Sequence, residues 1–177
     1  VGLLLCSAAI NLILAEQLKD VRQAVAKLKS ETSLSIGESL PDIEARYIDG
    51  TRANFSYGSD SRPAVLYFFS PSCGWCQRNE ENVHSLYSQK SGDYRFVGIS
   101  ISNEYLNEYL SDSRFDFPVL TDLSTGTVMS YKIGGTPQTV VVSNEGKVIA
   151  NWVGAYMNQV KTEIEDFFEI GLPGIRN

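Results

Sequence analysis

The feature that most constrains this chain is a junction. Ala64–Phe69 (AVLYFF) is an unbroken apolar run held between Pro63 and Ser70-Pro71. Cys73-Gly74-Trp75-Cys76 follows at once and opens a stretch of helical composition to about Lys90. A short apolar run bounded by turn residues is the pattern of a strand buried on both faces of a sheet. The pair of cysteines therefore falls where a central strand hands over to a helix. The unpaired N–H groups and the macrodipole at a helix start favour an anion. Such positions lower a thiol pKa from about 8.5 toward about 3.5–7.5. Two intervening residues let the second sulfur reach back to the first. One thiol can then attack a disulfide and the other resolve the mixed disulfide. Cys73, at the exposed helix start, is expected to attack; Cys76, one turn in, is expected to resolve.

Other uses of the pair fit less well. A passive disulfide would need no helix start. Structural zinc takes four ligands, and the chain offers one C-x-x-C, one further cysteine (Cys6) and a single histidine, His84. No metal is expected, and His84 reads as an ordinary, partly exposed helix residue. With 15 Lys+Arg against 21 Asp+Glu the net charge is -6, which argues against nucleic acid as a partner, since phosphates call for a basic face.

The rest of the chain divides in three. Residues 1–15 (VGLLLCSAAINLILA) carry no charge and would reach about 22 Å as a helix, short of the ~30 Å hydrocarbon core. They are expected to be part of a transmembrane anchor; a cleaved signal peptide or a core helix are the rival readings. In residues 16–33, Leu18, Val21, Val25 and Leu28 continue a seam that begins at Leu14, among Glu16, Lys19, Asp20, Arg22, Lys27 and Lys29. This is an amphipathic stalk that could lie on a membrane or pair with a second copy as a homodimer. Ser30–Pro41 is polar and punctuated by Gly and Pro, a linker by composition. Residues 34–177 are expected to hold one α/β domain. Strands are read at Ile43–Ile48, through Phe55, at Ala64–Phe69, Tyr94–Ile101 and Phe117–Leu120. A hairpin joins Gln138–Val142 to Lys147–Val153 across Asn144-Glu145-Gly146. Helices are read after Cys73, from an Asn103 cap to about Ser113, near Thr125–Tyr131, and over Ala155–Ile170. Strands alternating with helices imply a mixed sheet between helical layers.

The run AVLYFFSPSCGWCQRN resembles the strand, C-x-x-C and helix of the thioredoxin superfamily. With the anchor, the hairpin ahead of that strand and the block GGTPQTVVVSNEGKVIANWVG, the chain is similar to membrane-anchored, extracytoplasmic thiol–disulfide reductases of the TlpA/ResA type. The resemblance covers roughly residues 36–170. It implies a thioredoxin-like three-layer sandwich, and it assigns Pro137 the role of a cis proline facing the C-x-x-C. A proline opening a strand also suits a plain loop-to-strand junction. Gly74, Trp75, Thr136 and Pro137 are the candidate substrate-binding residues.

The resemblance further implies an enzyme with no cofactor beyond the redox-active Cys73–Cys76 disulfide. Its partners would be protein disulfides, apocytochrome c or another extracytoplasmic protein, and a membrane-embedded electron donor protein. The domain would sit on the extracytoplasmic (periplasmic) side. Two departures bear on proton handling. Where thioredoxin has a buried Asp six residues before the first Cys, this chain has Tyr67. Where the TlpA/ResA type commonly has an acidic residue three after the second Cys, it has Asn79, with Glu80 next; Glu80 is the candidate for proton transfer. Alternatives on the same fold are a disulfide oxidase, a non-enzymatic docking module, and a peroxiredoxin-like thiol peroxidase. For the last, Ser70 stands three before Cys73, but Leu66 occupies the place of the expected proline.

Overall fold

The computed structural model describes residues 14–25 and 32–175. Val1–Ser33 and Leu34–Asn177 are separate units. In the first, residues 14–25 are helical, and Leu14, Leu18, Val21 and Val25 are all more than half exposed. Most of the expected anchor, and Leu28 of the seam, lie outside the described residues. Among the described residues no helix is long and apolar enough to cross a membrane.

The second unit is built on a seven-stranded sheet. Its strands are β1 (Ile43–Tyr47), β2 (Arg52–Phe55), β3 (Ala64–Phe69), β4 (Arg95–Ser100), β5 (Val119–Thr121), β6 (Gln138–Val142) and β7 (Val148–Val153). The helices are α1 (Gly74–Lys90), α2 (Leu106–Asp112), α3 (Thr125–Ser130) and α4 (Asn158–Phe168). The strand order is β2-β1-β5-β4-β3-β6-β7. β3–β4 and β4–β5 are parallel, and all other pairs are antiparallel. This is the mixed sheet expected from the alternation of elements.

β3 is central and every one of its residues is buried, as its unbroken apolar run requires. Alternation sends Val65, Tyr67 and Phe69 into one core with Cys76, Val83 and Leu86 of α1, Leu106 and Tyr109 of α2, and Ile164 and Phe168 of α4. Ala64, Leu66 and Phe68 enter a second core on the opposite face, with Tyr57, Tyr131, Leu34 and Leu40. A strand with period-two side chains can serve two cores only if both sets are apolar. In β3 the single polar side-chain atom is the Tyr67 hydroxyl, on the side of the core that holds Cys76.

Strand ends shift by one or two residues from the sequence reading, and three larger differences bear on the packing. The segment from Leu34 to Pro41 is not a free linker. Leu34 and Leu40 are buried, Gly37 N–H donates to Val148 O, and Leu40 N–H donates to Gly146 O. Two isolated leucines in a polar run carry no periodic signal, yet they fill the second core. Gly146 permits this approach: its φ is +77°, and a Cβ there would lie 3.0 Å from the Leu40 carbonyl oxygen. Asn103 does not cap α2, whose N-cap is Tyr105 in the left-handed region at φ 59°. The Asn103 amide is instead committed to Thr121 and Asp122. The last helix begins at Asn158 rather than Ala155, because Ala155 and Tyr156 are buried in the approach to it.

Candidate active site

β3 ends at Phe69 and the chain turns at once, with Cys73 N–H donating to Ser70 O at 3.0 Å. Cys73 is the N-cap of α1, extended at φ -84° and ψ 108°, and its Sγ accepts the Cys76 N–H at 3.3 Å. A sulfur thus stands where a Ser or Asp oxygen usually receives an orphan helix donor. The Cys73 thiol in turn donates to the Thr136 carbonyl oxygen at 3.3 Å. Burial pushes Cys73 up, but the Cys76 thiol, the Thr136 side chain and the Cys76 and Trp75 N–H groups outweigh it, and the net shift is downward. Cys76 is different. It is fully buried, and burial, with the Cys73 sulfur beside it, pushes its thiol up to about 12. Both thiols are free.

Two neighbouring cysteines therefore have opposite character, and position along one helical turn is the cause. The half-buried sulfur at the helix mouth is the better anion; the sulfur one turn in is held as a thiol.

Thr136 and Pro137 approach this pair from the loop before β6, and the peptide bond between them is cis. With Trp75 they line a cleft of about 360 Å³ whose far wall is Gly154, Ala155, Met157 and Val160. Trp75 is 47% exposed, and the Arg78 guanidinium lies 5.2 Å from its ring centroid. Gly74 is exposed beside it. The structure thus brings Cys73, Trp75, Thr136 and Pro137 together. Met157 and Ala155 were not read from the sequence as site residues; they precede α4 and reach the cleft only because β7 returns the chain to the cysteines.

Glu80 is half-buried on α1. Burial raises its carboxyl, and its neighbours are Tyr109, Asp112 and Arg114. The Tyr109 hydroxyl is buried; burial first, then the Glu80 carboxylate and the charge of a thiolate at either cysteine, push its ionisation up. Asn79, by contrast, is fully buried. Its Oδ1 accepts the Tyr156 N–H at 2.9 Å and the Asn82 Nδ2 at 3.2 Å, and its Nδ2 donates to the Tyr67 hydroxyl at 3.4 Å. His84 is a half-exposed helix residue beside Arg114 O and Asp116.

A sequence model of the AhpC/TSA family matches residues 36–151, from the segment before β1 into β7. The chain belongs to the AhpC/TSA family. Among curated relatives, a thioredoxin-like protein of Haemophilus influenzae is 27% identical over 116 residues, 64% of this chain and 67% of that one. A thiol-disulfide oxidoreductase ResA of Halalkalibacterium halodurans is 25% identical over 121 residues, 64% of this chain and 65% of that one. The chain thus spans about two thirds of the length of these relatives. In fold it is similar to the thioredoxin domain of a thiol-disulfide oxidoreductase from Bacteroides vulgatus, with a TM-score of 0.63 and 20% identity over 77% of this chain and 99% of that one. It is also similar to StoA from Bacillus subtilis, with a TM-score of 0.56 and 18% identity over 75% of this chain and 98% of that one. The fold of this AhpC/TSA member is thioredoxin-like, and the resemblance read from the C-x-x-C and Thr-Pro segments holds.

Proposed function

We propose that this AhpC/TSA member is a thiol–disulfide oxidoreductase that reduces protein disulfides through Cys73 and Cys76. The observation that carries the reading is the difference between the two sulfurs. Cys73 is accessible and shifted toward its thiolate; Cys76 is buried and protonated until about pH 12. The Cys73 thiolate attacks one sulfur of a substrate disulfide, forming a mixed disulfide and releasing the other sulfur as a thiol. Cys76, deprotonated in the course of the step, then attacks Cys73 Sγ. This closes the Cys73–Cys76 disulfide and releases the second substrate sulfur, which takes up a proton. Two electrons pass from the dithiol to the substrate.

In this reading the cleft by Trp75, Thr136 and Pro137 holds the substrate segment, and Glu80 exchanges protons with the site through the Tyr109 hydroxyl. The dithiol is regenerated by another protein, for which a membrane-embedded donor on an extracytoplasmic face is the fitting source. An apocytochrome c is a compatible substrate. The exposed stripe of residues 14–25 suits a stalk that lies on a membrane or pairs with a second copy. A peroxidase reading is less well supported, because the residue at position 66 is a leucine buried in β3 rather than a proline at a peroxide pocket.

The deciding experiment is trapping. Cys76→Ser should accumulate mixed disulfides with a protein substrate, and Cys73→Ser should accumulate none; the reverse pattern excludes the assignment. The direction of electron flow is read from the reduction potential of the pair, near about -270 mV for a reductase of thioredoxin character and near about -120 mV for a strong oxidant.

A further inference from the structure

In sheets of this kind, crevices that take ligands open outside the carboxyl ends of the parallel strands. β3 uses its end for the cysteine pair. The ends of β4 and β5 border a second cavity, of about 470 Å³, that takes no part in the chemistry described so far. Ile101, Leu123, Val128 and Ile133 form its apolar wall. Ile101 and Val128 are 47% and 45% exposed, so that wall is open to an incoming side chain. Two backbone contacts tie the cavity to Cys73. Ile101 N–H donates to Phe69 O at 2.9 Å, and the next residue, Ser70, takes the Cys73 N–H on its carbonyl oxygen. Ile133 stands three residues before Thr136, whose carbonyl oxygen receives the Cys73 thiol. Three residues span at most about 11 Å. A substrate held at Cys73 therefore reaches the cavity with a residue roughly two to four places from its own cysteine.

The polar groups around the cavity are engaged with one another, with one exception. Ser100 Oγ donates to Ser102 O, and Ser102 Oγ accepts the Glu104 N–H. Asn103 Oδ1 accepts from Thr121 Oγ1. Asn103 Nδ2 donates to Asp122 Oδ1 at 2.6 Å, which holds that carboxylate against another residue of the cavity lining. Among the described residues no ion pair forms at Asp122. Arg46 and Arg52 share a neighbouring depression with it, and Arg46 is turned instead to the Gly50 carbonyl oxygen at 2.7 Å. An unneutralised carboxylate beside an open apolar wall matches a long aliphatic stem that ends in a cation. An aliphatic side chain would leave the carboxylate without its counter-charge, and an acidic one would be repelled.

We propose that this cavity is a specificity site for a lysine or arginine side chain of the substrate, with its stem against Ile101 and Val128 and its cation at Asp122. This rests on the oxidoreductase function proposed above. It adds the class of protein disulfide that is favoured, one with a basic residue close to the reactive cysteine. No bond forms or breaks in the cavity; it holds the substrate segment while Cys73 attacks.

The test is the second-order rate at which peptide disulfides oxidise the dithiol form of the full chain. The peptides carry lysine, norleucine or glutamate at one position, moved stepwise over roughly two to four residues from the cysteine. At the position that reaches the cavity, the lysine peptide should react about two- to fivefold faster than the norleucine peptide, the range of one ion pair near a surface. The glutamate peptide should be slowest. Salt at about 1 M should bring lysine and norleucine together. Asp122 has a φ of 51°, in the left-handed region that Asn enters as readily as Asp. Asp122→Asn therefore removes the charge and suits the same backbone, and the ratio of lysine to norleucine rates in that variant should fall to about one. Val128→Lys, at an exposed position of α3, supplies a cation from the chain itself and should abolish the preference as well. Equal lysine and norleucine rates at every position, a faster norleucine peptide, or a lysine preference that survives Asp122→Asn overturns the proposal. Hydroxyethyl disulfide, small and uncharged, separates the two readings. If neither it nor any peptide oxidises the dithiol, the oxidoreductase reading fails and this inference with it. If it does and lysine gains nothing, only the role of the cavity is lost.

Discussion

The Cys73 thiol and the Thr136 carbonyl oxygen, 63 residues apart in the chain, meet at 3.3 Å. The contact joins the two segments that the sequence marked separately, the start of α1 and the loop before β6. Cys73, at that contact, is half-buried and shifted toward its thiolate, whereas Cys76 one turn on is buried and pushed up to about 12.

This difference predicts the pH dependence of alkylation. Cys73 should react with iodoacetamide with a midpoint below the ordinary thiol value of about 8.5, because the Cys76 thiol, the Thr136 side chain and the helix-start N–H groups outweigh its burial. Cys76 should stay unmodified through neutral pH. Peptide mapping of the reduced protein after brief labelling at pH 7 checks this. Equal labelling of both cysteines would contradict the assignment of roles.

The same groups set the stability of the reduced protein at alkaline pH. An unfolded Cys76 ionises near about 8.5, whereas in the folded state it keeps its proton to about 12. Between those values the folded state binds a proton that the unfolded state has lost, so stability falls as pH rises. Tyr67 and Tyr109 are raised by burial first and act with the same sign above about pH 10. Cys73 acts in the opposite sense, and its contribution is complete once pH passes its ordinary value. Urea denaturation of the reduced protein should therefore show a steady loss of stability from pH 9 to 11. Cys76→Ala should remove the part of that loss that begins before tyrosine ionisation.

Much of this site is legible from the sequence, because the determinants are local. AVLYFF can be buried only as a strand serving two cores, and the cysteines follow within one turn, so the junction needs no tertiary information. What sequence could not show is how distant backbone reaches polar side chains. Asn79 and Asn82 look like solvent-facing helix residues. They are fully buried because the Tyr156 N–H and the Gly174 N–H, the latter at 2.8 Å from Asn82 Oδ1, arrive from beyond β7 to satisfy them. Leu34 and Leu40 were obscured in the same way, since a polar composition hides two apolar anchors whose pockets are made by β6, β7 and Tyr57.

Gly98 tests the packing behind the cysteines. It pairs with Tyr67 and Val119 in the middle of the sheet. A Cβ there would lie 3.0 Å from Val119 Cγ2, 3.2 Å from Phe117 Cε2 and 3.4 Å from Phe69 Cε1. These rings cannot easily give way: Phe117 stacks on Phe115 at 5.0 Å and Phe69 on Tyr109 at 5.3 Å. Gly98→Ala should destabilise by about 1–3 kcal/mol from overpacking, less the part recovered by removing glycine from a strand. Thermal unfolding measures it. An unchanged Tm would mean that the aromatic cluster yields at little cost.

Trp75 provides a test of the cleft that leaves the core intact. It is 47% exposed, lies between the two cysteines in sequence, and lines the cleft with Pro137 and Met157. An exposed indole backed by Arg78 presents aromatic area of the kind that dominates binding energy when a partner covers it. Trp75→Ala should therefore raise KM for a protein disulfide several-fold. It should leave kcat for a small disulfide such as oxidised dithiothreitol and the unfolding midpoint close to wild type. The indole should also report the redox state of its neighbours. Trp152, the other tryptophan, is buried and meets Phe167 edge-on at 5.2 Å, so Trp152→Phe isolates the Trp75 signal. In that background the emission of the dithiol and disulfide forms should differ. Identical spectra, with an unchanged KM in Trp75→Ala, would place substrate contact elsewhere than this cleft.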